Sequence, residues 1–224
     1  MPGADEGTSC PTLLHEILAD AREAGFLGPG SIEPHIRHAE GFAAIGRRLA
    51  APGRPTPRLV DLGSGGGLPG LVVAMSWPEA AVDLLEAGAR RAVFLQQATS
   101  RLGLGTRVRV LHERAEVCGR QEGFRGSYDG VLARSFGRPA VVAECAAPLL
   151  EVGGWLVVSE PPHGGERADA DGGPRWPAEP LARLGLEPGE TVCEEFDYKI
   201  LRQVAPCPER FPRRNGVPAK KPLF

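Results

Sequence analysis

From residue 59 onward, the chain alternates short apolar runs with amphipathic stretches. The apolar runs cover 59–62, 81–86, 107–111, 127–134 and 153–159. Their length and continuous apolar character are typical of buried parallel strands. Apolar residues at helical spacing occupy the intervening segments 71–75, 89–103 and 139–150. The alternation predicts an α/β fold with a doubly wound, mostly parallel sheet and right-handed crossovers.

The two ends of the chain have patterns of their own. Residues 11–25 and 33–49 show helical spacing and are followed by a proline-rich linker. The stretch 160–180 is rich in glycine, proline and charge, and we expect it to form a long loop. The segments 190–196 and 198–204 alternate in the way expected of a closing antiparallel pair of strands.

Composition and charge are those of an ordinary globular protein with one uneven feature. The chain has 224 residues, of which 42% are hydrophobic and 24% charged, and its net charge is −2. Positive charge is concentrated in 210–224, which has five basic residues and no acid. We therefore predict three parts, namely a helical N-terminal extension (1–56), a sheet domain (57–206) and a basic tail (207–224).

Several protein classes do not fit this sequence. Its five cysteines are odd in number and form no Cys-x-x-Cys pair, so we expect neither a disulfide framework nor a metal site. The first ten residues are acidic and poor in apolar side chains, unlike a signal peptide. No apolar run is long enough to span a bilayer. We expect a cytoplasmic protein that does not associate with a membrane.

A glycine-rich turn joins the first predicted strand to the next helix. It reads Asp-Leu-Gly-Ser-Gly-Gly-Gly-Leu-Pro-Gly over 61–70. Glycines let the backbone adopt positive φ and approach a ligand, and the helix start offers free N–H groups. The turn alone also fits a dinucleotide fingerprint, or a tight turn without a ligand. Glu86 ends the second strand, where a carboxylate can accept both ribose hydroxyls of an adenosine; the alternative is a solvated strand end.

Asp61 distinguishes between the adenosine cofactors. It begins an Asp-x-Gly-x-Gly-x-Gly run that resembles the one in class I S-adenosylmethionine-dependent methyltransferases, where the acid lies near the methionine amine. A dehydrogenase would need residues for hydride transfer, and the sequence has no organised set of them. We predict a Rossmann-like, S-adenosylmethionine-binding domain in which Asp61, Gly65 and Glu86 contact the cofactor.

Five segments resemble one methyltransferase family more closely. They are VDLGSGGGLPGLVVA (60–74), LLEAGARRAVFL (84–95), HERAE (112–116), YDGVLARSF (128–136) and FPRRNGVPAKKPL (211–223). In this order they are similar to segments of the bacterial small-subunit rRNA guanine-N7 methyltransferases, also called glucose-inhibited division protein B. The chain departs from the family in a reduced N-terminal part, with an echo around His35, and in Ser159-Glu160-Pro161-Pro162 after the fifth strand.

The resemblance implies cofactor contacts at Gly63, Leu68, Ala115, Glu116 and Arg134. A backbone N–H and a carboxylate at 115 and 116 could meet the adenine amino edge, whereas the alternative for Glu116 is an ordinary acid at a helix start. Arg134 follows the fourth strand, at the sheet edge where ligands bind in open α/β sheets. It could meet the cofactor carboxylate or an RNA phosphate, or form an ion pair with Glu86 or Glu116.

The resemblance also implies methyl transfer to guanine N7 in ribosomal RNA, either free or in the small ribosomal subunit. The N7 lone pair carries no proton, so the reaction needs orientation and a matched electrostatic site rather than a general base. We therefore assign no catalytic residue. Phe136 could stack on a flipped base or belong to the core. RNA phosphates could be bound by four basic residues of the tail, Arg213, Arg214, Lys220 and Lys221.

Two other functions stay open from the sequence. The methyl acceptor could be a small molecule or another RNA, because the chain is nearly neutral and its N-terminal part is short. The chain could also be a non-catalytic RNA-binding protein that retains the same fold. In each case we expect a monomer.

Overall fold

A seven-stranded sheet forms the centre of the molecule. The computed structural model describes residues 10–161 and 174–224. The strands are β1 Arg58–Leu62, β2 Ala81–Glu86, β3 Val108–His112, β4 Tyr128–Ala133, β5 Leu150–Glu160, β6 Leu186–Cys193 and β7 Asp197–Gln203. Their order in the sheet is β3-β2-β1-β4-β5-β7-β6, with β1 to β5 parallel and β7 antiparallel to both β5 and β6. The predicted α/β fold with a doubly wound, mostly parallel sheet is confirmed.

Helices cover both faces of the sheet. In the described ranges they are α1 Cys10–Glu23, α2 Glu33–Leu49, α3 Gly70–Ser76, α4 Ala89–Arg101, α5 Ala115–Cys118, α6 Pro139–Ala146, α7 Ala178–Ala182 and α8 Val217–Lys220. The two longest follow the apolar spacing in the sequence, and α2 begins at Glu33 and ends at Leu49 as that spacing predicts.

The N-terminal helices share a core with one face of the sheet. Ile17 of α1 and Phe42 of α2 are fully buried in the same cluster as Leu59 of β1. Gly46 lets α2 come close, since a Cβ there would lie 2.9 Å from Trp77 and 3.0 Å from Trp155. This packing carries the segment after α1 to the edge of the sheet where β1 and β2 end.

Three boundaries differ from the sequence prediction. The helix expected over 139–150 ends at Ala146, and Leu150 already belongs to β5. Periodicity does not separate a buried helix from a buried strand in such an apolar run, which explains the error. β6 begins at Leu186, and α7 occupies the end of the stretch expected to be a long loop. Residues 162–173 of that stretch lie outside the described ranges.

The described part of the chain has neither a membrane-spanning helix nor a cluster of metal-ligating side chains. None of its helices is both long and apolar enough to cross a membrane. No three His, Cys, Asp or Glu side chains within it come together as a metal site would require. Cys118, Cys145, Cys193 and Cys207 are free thiols.

Candidate active site

The glycine turn lies directly after β1, at the edge where the parallel strands end. Gly63, Gly65 and Gly67 have φ values of +72°, +54° and +97°, which side-chain-bearing residues rarely adopt. The N–H groups of Gly63 and Ser64 donate to the Leu85 carbonyl at 2.8 and 3.1 Å. These bonds fix the turn to the end of β2, so its conformation is set before any ligand binds.

Asp61 is almost fully buried beneath the turn, with 1% of its surface exposed. Its Oδ2 accepts a hydrogen bond from the Gly70 N–H at 3.0 Å, at the start of α3. Its Oδ1 is buried and has no hydrogen-bond partner in the described ranges. Burial raises the pKa of the Asp61 carboxyl to about 7, although the Gly70 N–H and the Arg134 charge oppose this shift. The free oxygen is a strong acceptor that a bound cation could use.

Glu86 holds the turn from the end of β2. It is 5% exposed, so the alternative of a solvated strand end is wrong. Its Oε2 accepts the Gly65 N–H at 2.9 Å, and its Oε1 accepts the Gly88 N–H at 2.7 Å. A carboxylate offers about four acceptor positions, so lone pairs remain for ribose hydroxyls. The predicted cofactor contact stays a prediction, and the structural role was not foreseen.

Arg134 follows β4 on the opposite side of the turn. Its Nη2 lies 2.5 Å from His35 Nδ1, so the N-terminal part of the chain reaches the site through α2. Its Nη1 is buried and has no hydrogen-bond partner among the residues described. Burial lowers the pKa of Arg134, while the Asp61 charge raises it. Within those ranges, Arg134 forms no ion pair with Glu86 or Glu116, which were the alternatives considered from the sequence.

These elements enclose a cavity of about 300 Å³. The glycine turn, the end of β4, α4 and the N-terminal part form its walls. The lining residues are Gly63, Ser64, Gly65, Gly66, Leu68, Arg91, Arg134, Ser135, His35, Phe26, Leu27 and Gly28. The structure thus brings predicted residues Gly63, Gly65, Leu68 and Arg134 together. Phe26, Leu27 and Gly28 were not predicted, because the segment between the helices predicted over 11–25 and 33–49 carries no cofactor-binding pattern.

The residues around this cavity fit S-adenosylmethionine. The unpartnered Asp61 oxygen is suited to an ammonium group, and the unpartnered Arg134 nitrogen is suited to a carboxylate. The charge of each group shifts the pKa of the other, as expected of two neighbouring groups. The glycines of the turn have no side chains, so a ligand that contacts these two groups and Glu86 can also approach the backbone of the turn closely.

Glu116 faces the C-terminal tail. Its Oε1 accepts the Gly216 N–H at 2.8 Å and an Arg114 N–H at 3.5 Å. Burial raises the pKa of Glu116, but these hydrogen bonds outweigh it and hold the pKa below its ordinary value. The contact spans 100 positions of sequence, which local patterns do not reveal. Cofactor contacts by Ala115 and Glu116 stay a prediction.

Arg213 holds the tail against α6. Its backbone N–H and guanidinium bind the Glu144 carboxylate, which is fully buried in α6, at 2.8, 2.8 and 2.5 Å. Arg213 is therefore an anchor of the tail, a role that was not predicted, and its contact with RNA stays a prediction. Arg214, Lys220 and Lys221 are exposed and stay candidates.

The fold and this site define a class I methyltransferase. Similar folds occur in a candidate O-methyltransferase from Klebsiella pneumoniae (TM-score 0.62, 16% identity, 92% of each chain). A mutant of MtNAS in complex with S-adenosylmethionine is also similar (TM-score 0.57, 14% identity, 89% of this chain and 75% of that one). At such low identity these two structures show the fold alone.

Sequence comparison identifies the family. Residues 48–160 match the model of rRNA small subunit methyltransferase G. Ribosomal RNA small subunit methyltransferase G of Rubrobacter xylanophilus is 39% identical over 222 residues, covering 95% of this chain and 83% of the relative. The protein of that name from Chloroflexus aggregans is 38% identical over 175 residues, covering 74% and 69%. The chain belongs to the rRNA small subunit methyltransferase G family, so the predicted family is confirmed.

Proposed function

We propose that this protein transfers a methyl group from S-adenosylmethionine to N7 of a guanine in small-subunit ribosomal RNA. The observation that carries the proposal is a pair of buried atoms without hydrogen-bond partners in the described ranges, Asp61 Oδ1 and Arg134 Nη1, beside the glycine turn of a chain from this family. The substrate is ribosomal RNA, free or in the small subunit. We further propose that the protein acts in the cytoplasm as a monomer.

Arg134 lines the cavity, whereas Asp61 and Glu86 lie behind the glycine turn, and we assign one part of the cofactor to each of these three residues. Asp61 Oδ1 accepts from the methionine ammonium, and Arg134 Nη1 donates to the methionine carboxylate. Glu86 accepts the ribose hydroxyls while its bonds to Gly65 and Gly88 keep the turn in place. When bound, S-adenosylmethionine supplies an electrophilic methyl group on a sulfonium.

The acceptor chemistry requires little more from the protein. Guanine N7 has an in-plane lone pair and carries no proton, so no general base is needed. The protein has to orient the base, exclude water and hold the charged groups around it in fixed positions. A site with buried, preorganised polar groups suits this reaction.

Methyl transfer can be tested with small ribosomal subunits and labelled S-adenosylmethionine. We expect label in the rRNA, and nucleoside mass spectrometry should identify it as 7-methylguanosine. Binding of the cofactor without labelling of any RNA would refute the RNA substrate. Label in a different nucleoside would refute N7 as the acceptor, and label only in small molecules would support the alternative acceptor class.

Cofactor binding should depend on pH because of Asp61. The pKa of its carboxyl is about 7, so below pH 7 the carboxyl is largely protonated, and binding an ammonium group must release that proton. Affinity is therefore expected to rise with pH up to about 7, by up to about tenfold per pH unit, and then level off. Calorimetry between pH 5.5 and 7.5, in buffers of different ionisation enthalpy, measures both the affinity and the proton release.

Asp61→Asn is the matched control for this pH dependence. It keeps the shape of the side chain but cannot titrate, so its weaker binding should be independent of pH over the same range. Equal affinity of the wild-type protein at pH 5.5 and 7.5, without proton release, would show that Asp61 does not meet the ammonium group.

A further inference from the structure

A second cavity of about 360 Å³ adjoins the first at the carboxyl ends of β4 and β5. Arg134 and Ser135 line both cavities. Ser135, between them, has φ of +55° and is the only residue other than glycine with positive φ in the described ranges. Such backbone strain concentrates at functional sites, where the surrounding structure enforces it. A ligand in the second cavity would lie next to the cofactor.

The walls of this second cavity suit a flat, partly polar ring. Phe136, Val142, Val158 and Trp176 supply aromatic and aliphatic surface. The Phe136 ring also packs on the glycine turn, since a Cβ on Gly63 would lie 2.6 Å from it. Phe136 therefore stands between the two cavities, where it can contact a base that faces the cofactor.

His38 brings an unsatisfied polar atom to this cavity. Its ring stacks on Phe196 (centroids 4.6 Å apart) and also contacts Tyr198 and Phe42 at 5.3 and 5.6 Å. Its Nε2 is buried and lacks a hydrogen-bond partner among the described residues. Packing explains the position of the ring but leaves a buried polar nitrogen without a hydrogen bond. A buried nitrogen without a hydrogen bond lowers the stability of the folded protein unless a ligand supplies the partner.

We propose that the second cavity binds the guanine that accepts the methyl group, and that His38 Nε2–H donates a hydrogen bond to its O6. This assignment rests on the proposed function. O6 is next to N7 on the same edge of guanine, so a donor at O6 positions the base and leaves the N7 lone pair free for the methyl group. Adenine carries an amino donor at this position and would leave the His38 donor unpaired.

The charges around the second cavity agree with this role. Burial, together with the charges of Arg134 and His35, lowers the pKa of His38 to about 4, so the imidazole is neutral at physiological pH. Methylation at N7 leaves a positive charge on the guanine ring, and a neutral donor avoids repelling it. Glu160, which also lines the cavity, is held by Arg175 Nε at 2.7 Å and by Trp176 Nε1 at 2.8 Å.

Two substitutions separate the donor from the ring. His38→Phe keeps the aromatic stack and removes the nitrogen, so we expect kcat/KM for methylation of small-subunit rRNA to fall about 10- to 100-fold, the range for one unsatisfied buried hydrogen bond. His38→Gln loses the ring but keeps an N–H donor, and should recover most of that loss. The melting temperature of each variant and its affinity for S-adenosylmethionine are measured alongside.

Each outcome decides the assignment. A folded, cofactor-binding His38→Phe protein with wild-type kcat/KM would overturn it. So would a His38→Gln protein that folds, binds the cofactor and is as inactive as His38→Phe, because the ring would then be what matters. A wild-type protein that binds cofactor but methylates no rRNA would refute the proposed function itself, and this assignment with it.

Discussion

Replacing Gly63 with valine will abolish S-adenosylmethionine binding. Gly63 has φ of +72°, and a Cβ there would lie 2.6 Å from the Phe136 ring. Valine can be accommodated only if the turn or Phe136 moves, and either movement disturbs the cavity that Gly63 lines. We expect affinity to fall at least about 100-fold, which corresponds to about 2.8 kcal/mol. Calorimetric titration with S-adenosylmethionine measures this loss.

Gly103→Val is the matched control for Gly63→Val. Gly103 follows α4 with φ of +65°, and a Cβ there would meet nothing within 4 Å. Both substitutions carry the backbone strain of a side chain at positive φ, about 1 to 3 kcal/mol of stability. Only Gly63→Val should lose the cofactor. Normal binding by Gly63→Val, or equal loss in both variants, would show that the turn is not the cofactor site.

Replacing Arg213 with alanine will destabilise the folded protein. The variant leaves the fully buried Glu144 carboxylate without its charged partner. Loss of one member of a buried pair costs about 3 to 5 kcal/mol. Because the Arg213 side chain is 27% exposed and the backbone N–H bond to Glu144 survives, we expect the lower end of that range. Thermal unfolding should show a decrease of about 6 to 12 °C.

Arg214→Ala is the control at the neighbouring position. Arg214 is exposed, so its loss should change the free energy of unfolding by no more than about 0.5 kcal/mol. If the exposed tail cations contact phosphate, Arg214→Ala should instead weaken RNA binding and reduce its salt dependence. A stability loss in Arg214→Ala equal to that of Arg213→Ala would contradict the anchoring role of the Arg213–Glu144 pair.

The anchored tail also changes how the basic residues are interpreted. Gly216 donates to Glu116 of α5, and Arg213 binds Glu144 of α6, so the tail is fixed against these two helices. Arg214, Lys220 and Lys221 are exposed on this anchored segment. A basic run in the sequence alone does not tell an anchoring arginine from an exposed one.

The sequence by itself determined the parallel sheet, its order of elements, the glycine turn and the acids that flank it. These features depend on local patterns, namely apolar runs, helical spacing and the need for glycine at positive φ. The turn pattern predicted Gly65 as a cofactor contact, whereas Gly63, Leu68 and Arg134 were implied by the resemblance of five segments to one family. The structure brings these four residues together at one cavity.

Only the tertiary structure decided how distant groups pair. Arg134 meets His35 across 99 positions and Glu116 meets Gly216 across 100. The second cavity is lined by His38 of α2 together with residues at the ends of β4 and β5. No local pattern encodes such contacts, because they follow from the packing of whole helices on the sheet and from the need to satisfy buried charges. The same packing that completes the core therefore also completes the site.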